Sequence, residues 1–128
     1  MRFFLALALC TSSITFAEGN DCTTLDQCQK AIDANPKSSL AHYRMGEILF
    51  MNEEWQRAAA EFREAQRVDL EPEWVEVWAH IYAGRTYDLT NQRARAINEY
   101  KLVLRMNDIL QDAKEAAAEY IKFPYRRP

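Results

Sequence analysis

Residues 40–69 read LAHYRMGEILFMNEEWQRAAAEFREAQRVD, and residues 78–107 read WAHIYAGRTYDLTNQRARAINEYKLVLRMN. Slid past one another by 38 positions they align without a gap: Ala41 falls on Ala79, His42 on His80, Arg57 on Arg95, Ala58 on Ala96, Glu61 on Glu99 and Arg67 on Arg105. Gly46 falls on Gly84; these are two of only three glycines in the chain. Each sits inside a stretch that otherwise patterns as helix. Both copies therefore predict helix, turn, helix.

Composition agrees with this reading. The 128 residues include eighteen Ala against four Val and six Thr, a balance that disfavours strands and favours an all-α fold. The length suits one domain, and 27% charged residues is ordinary for a globular protein. A net charge of −3 leaves no basic surface to hold a polyanion, which argues against nucleic acid as a ligand. The basic cluster Tyr125-Arg126-Arg127 reads as a solvated tail.

The two copies resemble the tetratricopeptide repeat family, whose pattern is W-x2-L-G-x2-Y, then A-x3-F, then Pro. The corresponding residues are His42, Met45, Gly46, Leu49, Ala58, Phe62 and Ala65 in one copy, and His80, Ala83, Gly84, Tyr87, Ala96, Tyr100 and Val103 in the other. In physical terms Gly and Ala stand where the helices of a hairpin approach most closely, and the aromatic fills the gap beside them. The family usually repeats every 34 residues; here four extra residues fall at Leu70–Glu73, where Pro72 suits a first helical turn and lengthens the following helix. The resemblance implies a right-handed helical-hairpin repeat, an α-solenoid, with full repeats at about 39–72 and 77–110 and a capping helix at about 109–122.

Around the copies, Thr23 or Thr24 can cap a helix running to Ala34, ended by Asn35-Pro36, and Ser38 and Ser39 stand where the next helix needs a cap. The predicted helices are 24–34, 38–51, 54–68, 72–89, 92–106 and 109–122.

The first seventeen residues read as an export signal: Arg2 supplies the charge, Phe3 to Leu9 the apolar run, and Thr15-Phe16-Ala17 the cleavage end. The run is too short to span a membrane. The expectation is a periplasmic or secreted bacterial protein whose domain covers 18–128. Leu7-Ala8-Leu9-Cys10 partly resembles a lipobox, and lipid on Cys10 is the one route to membrane contact. Export would let Cys22 and Cys28 form a disulfide, provided Cys22 lies outside the helix that carries Cys28, because two helical residues six apart face different ways.

The resemblance also implies a concave face that binds segments of other proteins. Carried over by position, it is lined by Tyr43, Glu47, Phe50 and Met51 from the first copy and Ile81, Arg85, Asp88 and Leu89 from the second. Tyr43 and Phe50 are the expected ligand contacts; Leu40, Ile81 and Leu89 read rather as inter-helix core. Glu47 and Arg85 occupy matching positions, giving either a salt bridge within the face or a polar clamp for a partner. His42 and His80, at equivalent sites of successive hairpins, stand too far apart to share one metal and take the family's aromatic position instead. Trp55 reads as packing, whereas Trp74 and Trp78, if both exposed, would mark a surface for a partner or a second copy.

No phosphate loop, metal-protease spacing or nucleophile constellation occurs. The sequence points to a protein-binding scaffold without cofactor, metal or catalysis. The alternative is a structural subunit that self-associates or uses its hairpin ends.

Overall fold

The computed structural model describes residues 21–107 and 110–128. The signal-like stretch, Cys10 and Gly19 lie outside them. Among the described residues there are six helices and no strand: α1 (Leu25–Ala34), α2 (Ser39–Met51), α3 (Trp55–Ala65), α4 (Glu73–Leu89), α5 (Arg93–Arg105) and α6 (Gln111–Lys122). None of these helices is long and apolar enough to cross a membrane.

Local chemistry sets the helix ends. Thr24 Oγ1 accepts from the Gln27 N–H at 3.2 Å, and Ser38 Oγ accepts from the Ala41 N–H at 3.2 Å. α3 stops short of residue 68 because the Gln66 and Arg67 N–H groups bond three residues back, to Arg63 and Glu64, tightening the last turn. Beyond it, the chain latches onto the start of α2: Asp69 Oδ1 accepts from the Ser39 N–H at 3.0 Å, and Ser39 Oγ accepts from the Leu70 N–H at 2.9 Å. Pro72 occupies the cap position of α4. α4 has 17 residues where α2 has 13, and it begins at Glu73, so that of the four extra residues Leu70, Glu71 and Pro72 form the turn before the helix.

Each hairpin turns through the same device. Glu53 (φ 62°) and Asn91 (φ 59°), 38 positions apart, are left-handed. The N–H groups that follow them, from Glu54 and Gln92, reach back to the Leu49 and Tyr87 carbonyls at 2.9 and 2.8 Å. This is the Schellman ending, usually built on Gly; Asn91 adopts it readily, and Glu53 does so at some cost.

α2 packs on α3 and α4 on α5 as two hairpins, α3 on α4 and α5 on α6 join them in sequence, and α1 closes the side of α2. α2, α4 and α6 also touch in that order and form an inner layer. Cys22 precedes α1 and is bridged to Cys28 within it, with Cα atoms 5.0 Å apart. The link ties the chain entering α1 to the helix itself.

The core repeats as the sequence does. A Cβ on Gly46 would lie 2.6 Å from the Phe62 ring, and one on Gly84 would meet the Tyr100 ring more closely still. Both rings are fully buried, so neither can swing aside. Beside each contact a histidine ties the same two helices: His42 Nδ1 donates to Glu61 at 2.7 Å and His80 Nδ1 to Glu99 at 2.6 Å. His42 Nε2 also faces the Pro36 carbonyl at 2.9 Å. With acceptors on both ring nitrogens, the doubly protonated form satisfies the site completely. The hydrogen bond to Glu61, aided by the Pro36 carbonyl, accordingly raises the His42 pKa above 6.5 against the opposing effect of burial.

Gly46→Leu and Gly84→Leu should each lower the unfolding free energy by about 2–3 kcal/mol in urea titrations, the typical cost of overpacking a core. The folded state binds the His42 proton more tightly than the unfolded chain, so its contribution is complete below about pH 6.5 and fades as pH rises through the raised value. The stability difference between the wild type and His42→Gln, measured from pH 5.5 to 8.5, should shrink with rising pH.

Candidate binding face

α2, α4 and α6 present their C-terminal halves to one another, and the face they make is crossed by the chain itself. After α6 the backbone at Phe123 is extended, and residues 123–128 run back over α4 toward the α2–α3 turn. Tyr125 reaches Tyr120 of α6 edge-on at 5.4 Å and Phe50 of α2 at 6.2 Å. Arg127 pairs with Glu53 in the turn and lies 5.5 Å from the Trp55 ring centre.

Two charged groups of α4 organise this crossing. The Asp88 carboxylate is fully buried and accepts from three donors: both of its oxygens from one Arg93 nitrogen at 3.0 and 3.1 Å, Oδ2 from the Tyr100 hydroxyl at 2.8 Å, and Oδ2 from the Tyr125 N–H at 2.8 Å. Arg93 also donates to the Ile121 carbonyl at 2.8 Å, which fixes the end of α6. Burial, with the bond to Asp88 adding to it, raises the Tyr100 pKa far above the ordinary tyrosine value, so the hydroxyl keeps its proton and donates. Arg85 lies among three tyrosines, 4.7 Å from the ring centre of Tyr82, 5.2 Å from Tyr120 and 5.0 Å from Tyr125, and donates to the Tyr120 hydroxyl at 3.0 Å. Such a cation is held by the rings' negative faces more than by hydrogen bonds, and its Nε is buried without a partner among the described residues.

The expected groove residues divide. Tyr43 is not an open ligand contact: it is 3% exposed, enclosed by Phe62, Trp74 and Tyr82, because the large rings of α3 and α4 fill the space beside it. Burial raises its hydroxyl pKa far above 10. Phe50 is also 3% exposed, but part of its cover is Tyr125, so it lines a face that the chain occupies. Ile81 is wholly core. Asp88 is buried and fully engaged, whereas Met51 stands free at 68% exposure.

Glu47 and Arg85 form no salt bridge with one another, because Glu47 is taken by Arg44 at 2.7 Å and Arg85 is drawn into the tyrosines. Trp74 and Trp78 form no exposed patch; both are half-buried against the core, Trp74 edge-on to Tyr43 and under Arg44 at 5.3 Å. Tyr125-Arg126-Arg127 is not merely a solvated tail, since two of its three side chains are engaged. Sequence reasoning missed Tyr82, Tyr120, Tyr125 and Arg127. Their one signal is Phe123-Pro124-Tyr125, two aromatics flanking a helix stop, which fits a chain folding back rather than running into water.

Elsewhere, a hollow of about 960 Å³ lies at the hairpin ends, where Trp74, Val77, Met106 and Leu110 meet Glu71, Glu73 and Glu76. Among the described residues, no three His, Cys, Asp or Glu side chains converge as a metal site.

A family model described as tetratricopeptide repeat matches residues 27–60, covering most of α1, all of α2 and the start of α3. No curated protein and no solved structure matches the chain.

The buried Asp88 is the most exposed of these groups to a single substitution. Asp88→Ala should cost about 3–4 kcal/mol in urea unfolding, since it strands Arg93, the Tyr100 hydroxyl and the Tyr125 N–H together. Tyr100→Phe, which removes one donor and keeps the ring, should cost about 1.5–2 kcal/mol.

Proposed function

We propose that this chain, a tetratricopeptide repeat protein, is a protein-binding scaffold that holds a segment of a partner on the inner face of α2, α4 and α6. Repeats of this family generally mediate protein–protein interaction. The observation that carries the proposal is that this face already grips an extended segment through a ring, a backbone N–H and an arginine. Those are the contacts by which folded surfaces take up linear peptides. The scaffold acts without catalysis or cofactor, as is typical of the family.

The Cys22–Cys28 bridge supports an exported location, periplasmic or secreted, because such bonds persist in oxidising compartments. A signal over residues 1–17 and a domain over 18–128 belong to the same proposal.

The hollow at the hairpin ends favours a second reading, in which the chain joins a larger complex through Trp74, Met106 and Leu110. A photo-crosslinking residue at Met51, beside the inner face, should capture a partner in intact cells, while one at Leu110 should not. Capture only at Leu110 would transfer the function to the hairpin ends.

A further inference from the structure

Resting on that reading of the inner face, we propose that its ligand is an extended basic segment of the form aromatic-x-arginine on a partner protein, and that residues 123–128 are the resident occupant which that segment displaces.

The segment is attached like a docked peptide rather than like a part of the core. Phe123 is 64% exposed, and Pro124, Arg126 and Pro128 are exposed as well. Tyr125 is half-buried, and Arg127, though exposed, turns its side chain back to Glu53 and Trp55, two residues on, the alternation of an extended chain. The face offers one place for each. An aromatic ring fits between Arg85, Phe50 and Tyr120. The backbone N–H of that same residue meets Asp88. An arginine two positions on finds the Glu53 carboxylate and the Trp55 ring.

Nothing in these three contacts depends on the covalent path through α6, so a segment of the same chemistry arriving from outside can make all of them. Charge points the same way at the far end of the segment, where the Glu53 carboxylate meets an arginine, while Asp88, already paired with Arg93, takes only a backbone N–H. The grip is also light enough to be exchanged. The Glu53 side chain is 65% exposed, and ion pairs so open to water hold weakly.

A partner fits better than a second copy. Ile121 is held by Arg93 and Tyr125 by Asp88, leaving three residues between the anchors. Three residues span at most about 10 Å, too short a hinge to deliver the segment to another molecule. The same short tether gives the resident segment an effective concentration of about a millimolar or more, so an incoming segment competes against it.

The test uses the full chain and a fluorescent peptide of residues 122–128, acetylated and amidated so that only its side chains and backbone are read. The variant Tyr125→Ala/Arg127→Ala removes the two resident side-chain anchors and leaves only the backbone N–H to Asp88. It should bind the peptide saturably and at least about tenfold more tightly than the wild type does, since the binding-competent fraction rises. Changing the peptide's tyrosine to alanine should abolish binding, and adding Glu53→Gln to the variant should weaken it.

A double variant that stays folded by circular dichroism, yet binds the two peptides alike, overturns the proposal. If the double variant does not fold, Arg127→Glu alone, which repels Glu53, must bind the peptide more tightly than the wild type; no gain overturns the proposal equally. Concentration-dependent dimerisation of the wild type that Arg127→Glu abolishes would assign the exchange to a second copy and overturn the partner. Failure of the peptide combined with crosslinks at Met51 would leave the scaffold reading standing and remove only this ligand chemistry.

Discussion

In each hairpin an aromatic ring of the second helix lies against a glycine of the first, Phe62 on Gly46 and Tyr100 on Gly84. Closeness is the constraint: with any side chain at either glycine the helices would have to part. Because the rings are buried completely, the spacing they impose passes to every neighbour packed on them. α4 packs on α3 as well as α5, and α6 on α5. The stack thus inherits its geometry from two contacts of a few atoms each. The His42–Glu61 and His80–Glu99 bonds pin the same helix pairs beside those contacts.

The two core aromatics differ by one atom, with wide consequences. Phe62 ends in hydrocarbon, but Tyr100 carries a hydroxyl that reaches Asp88. The buried carboxylate thereby gains a protein donor from α5, and with Arg93 and the Tyr125 N–H it is compensated well enough to remain buried. From Asp88 the order extends outward, through Arg93 to the end of α6 and through Tyr125 to the segment on the inner face. Core packing and the candidate binding face are therefore joined through one side chain. The Tyr100 hydroxyl and the segment thus share one carboxylate oxygen, Asp88 Oδ2.

The inner face shows how a repeat can present apolar rings without leaving them open to water. Phe50 and Tyr120 are covered in part by Tyr125, and Tyr82 packs edge-on against Phe50. Arg85 supplies the charge that several tyrosines share. Cation and rings together make a surface that accepts an aromatic edge or face readily, and the carboxylates at Asp88 and Glu53 give direction to whatever lies on it.

The sequence by itself determined the hairpins: the 38-residue shift, the paired glycines, Ala58 with Ala96, and the serine and threonine caps are local or periodic signals that survive reading one residue at a time. It determined the longer α4 too, because Pro72 suits the start of a helix and sets that start four residues earlier than in the first copy. Only the tertiary structure decided what the inner face is. Position within a repeat told which residues point inward, but Tyr43 is covered by rings from α3 and α4, Glu47 is claimed by Arg44 three residues away, and Arg85 is claimed by tyrosines up to 40 residues away. The segment 123–128 carries no periodicity of its own. Its place is fixed by Asp88 and Glu53, distant in sequence and brought to it by the stacking of helices, and a contact of that kind exists only once the chain has folded.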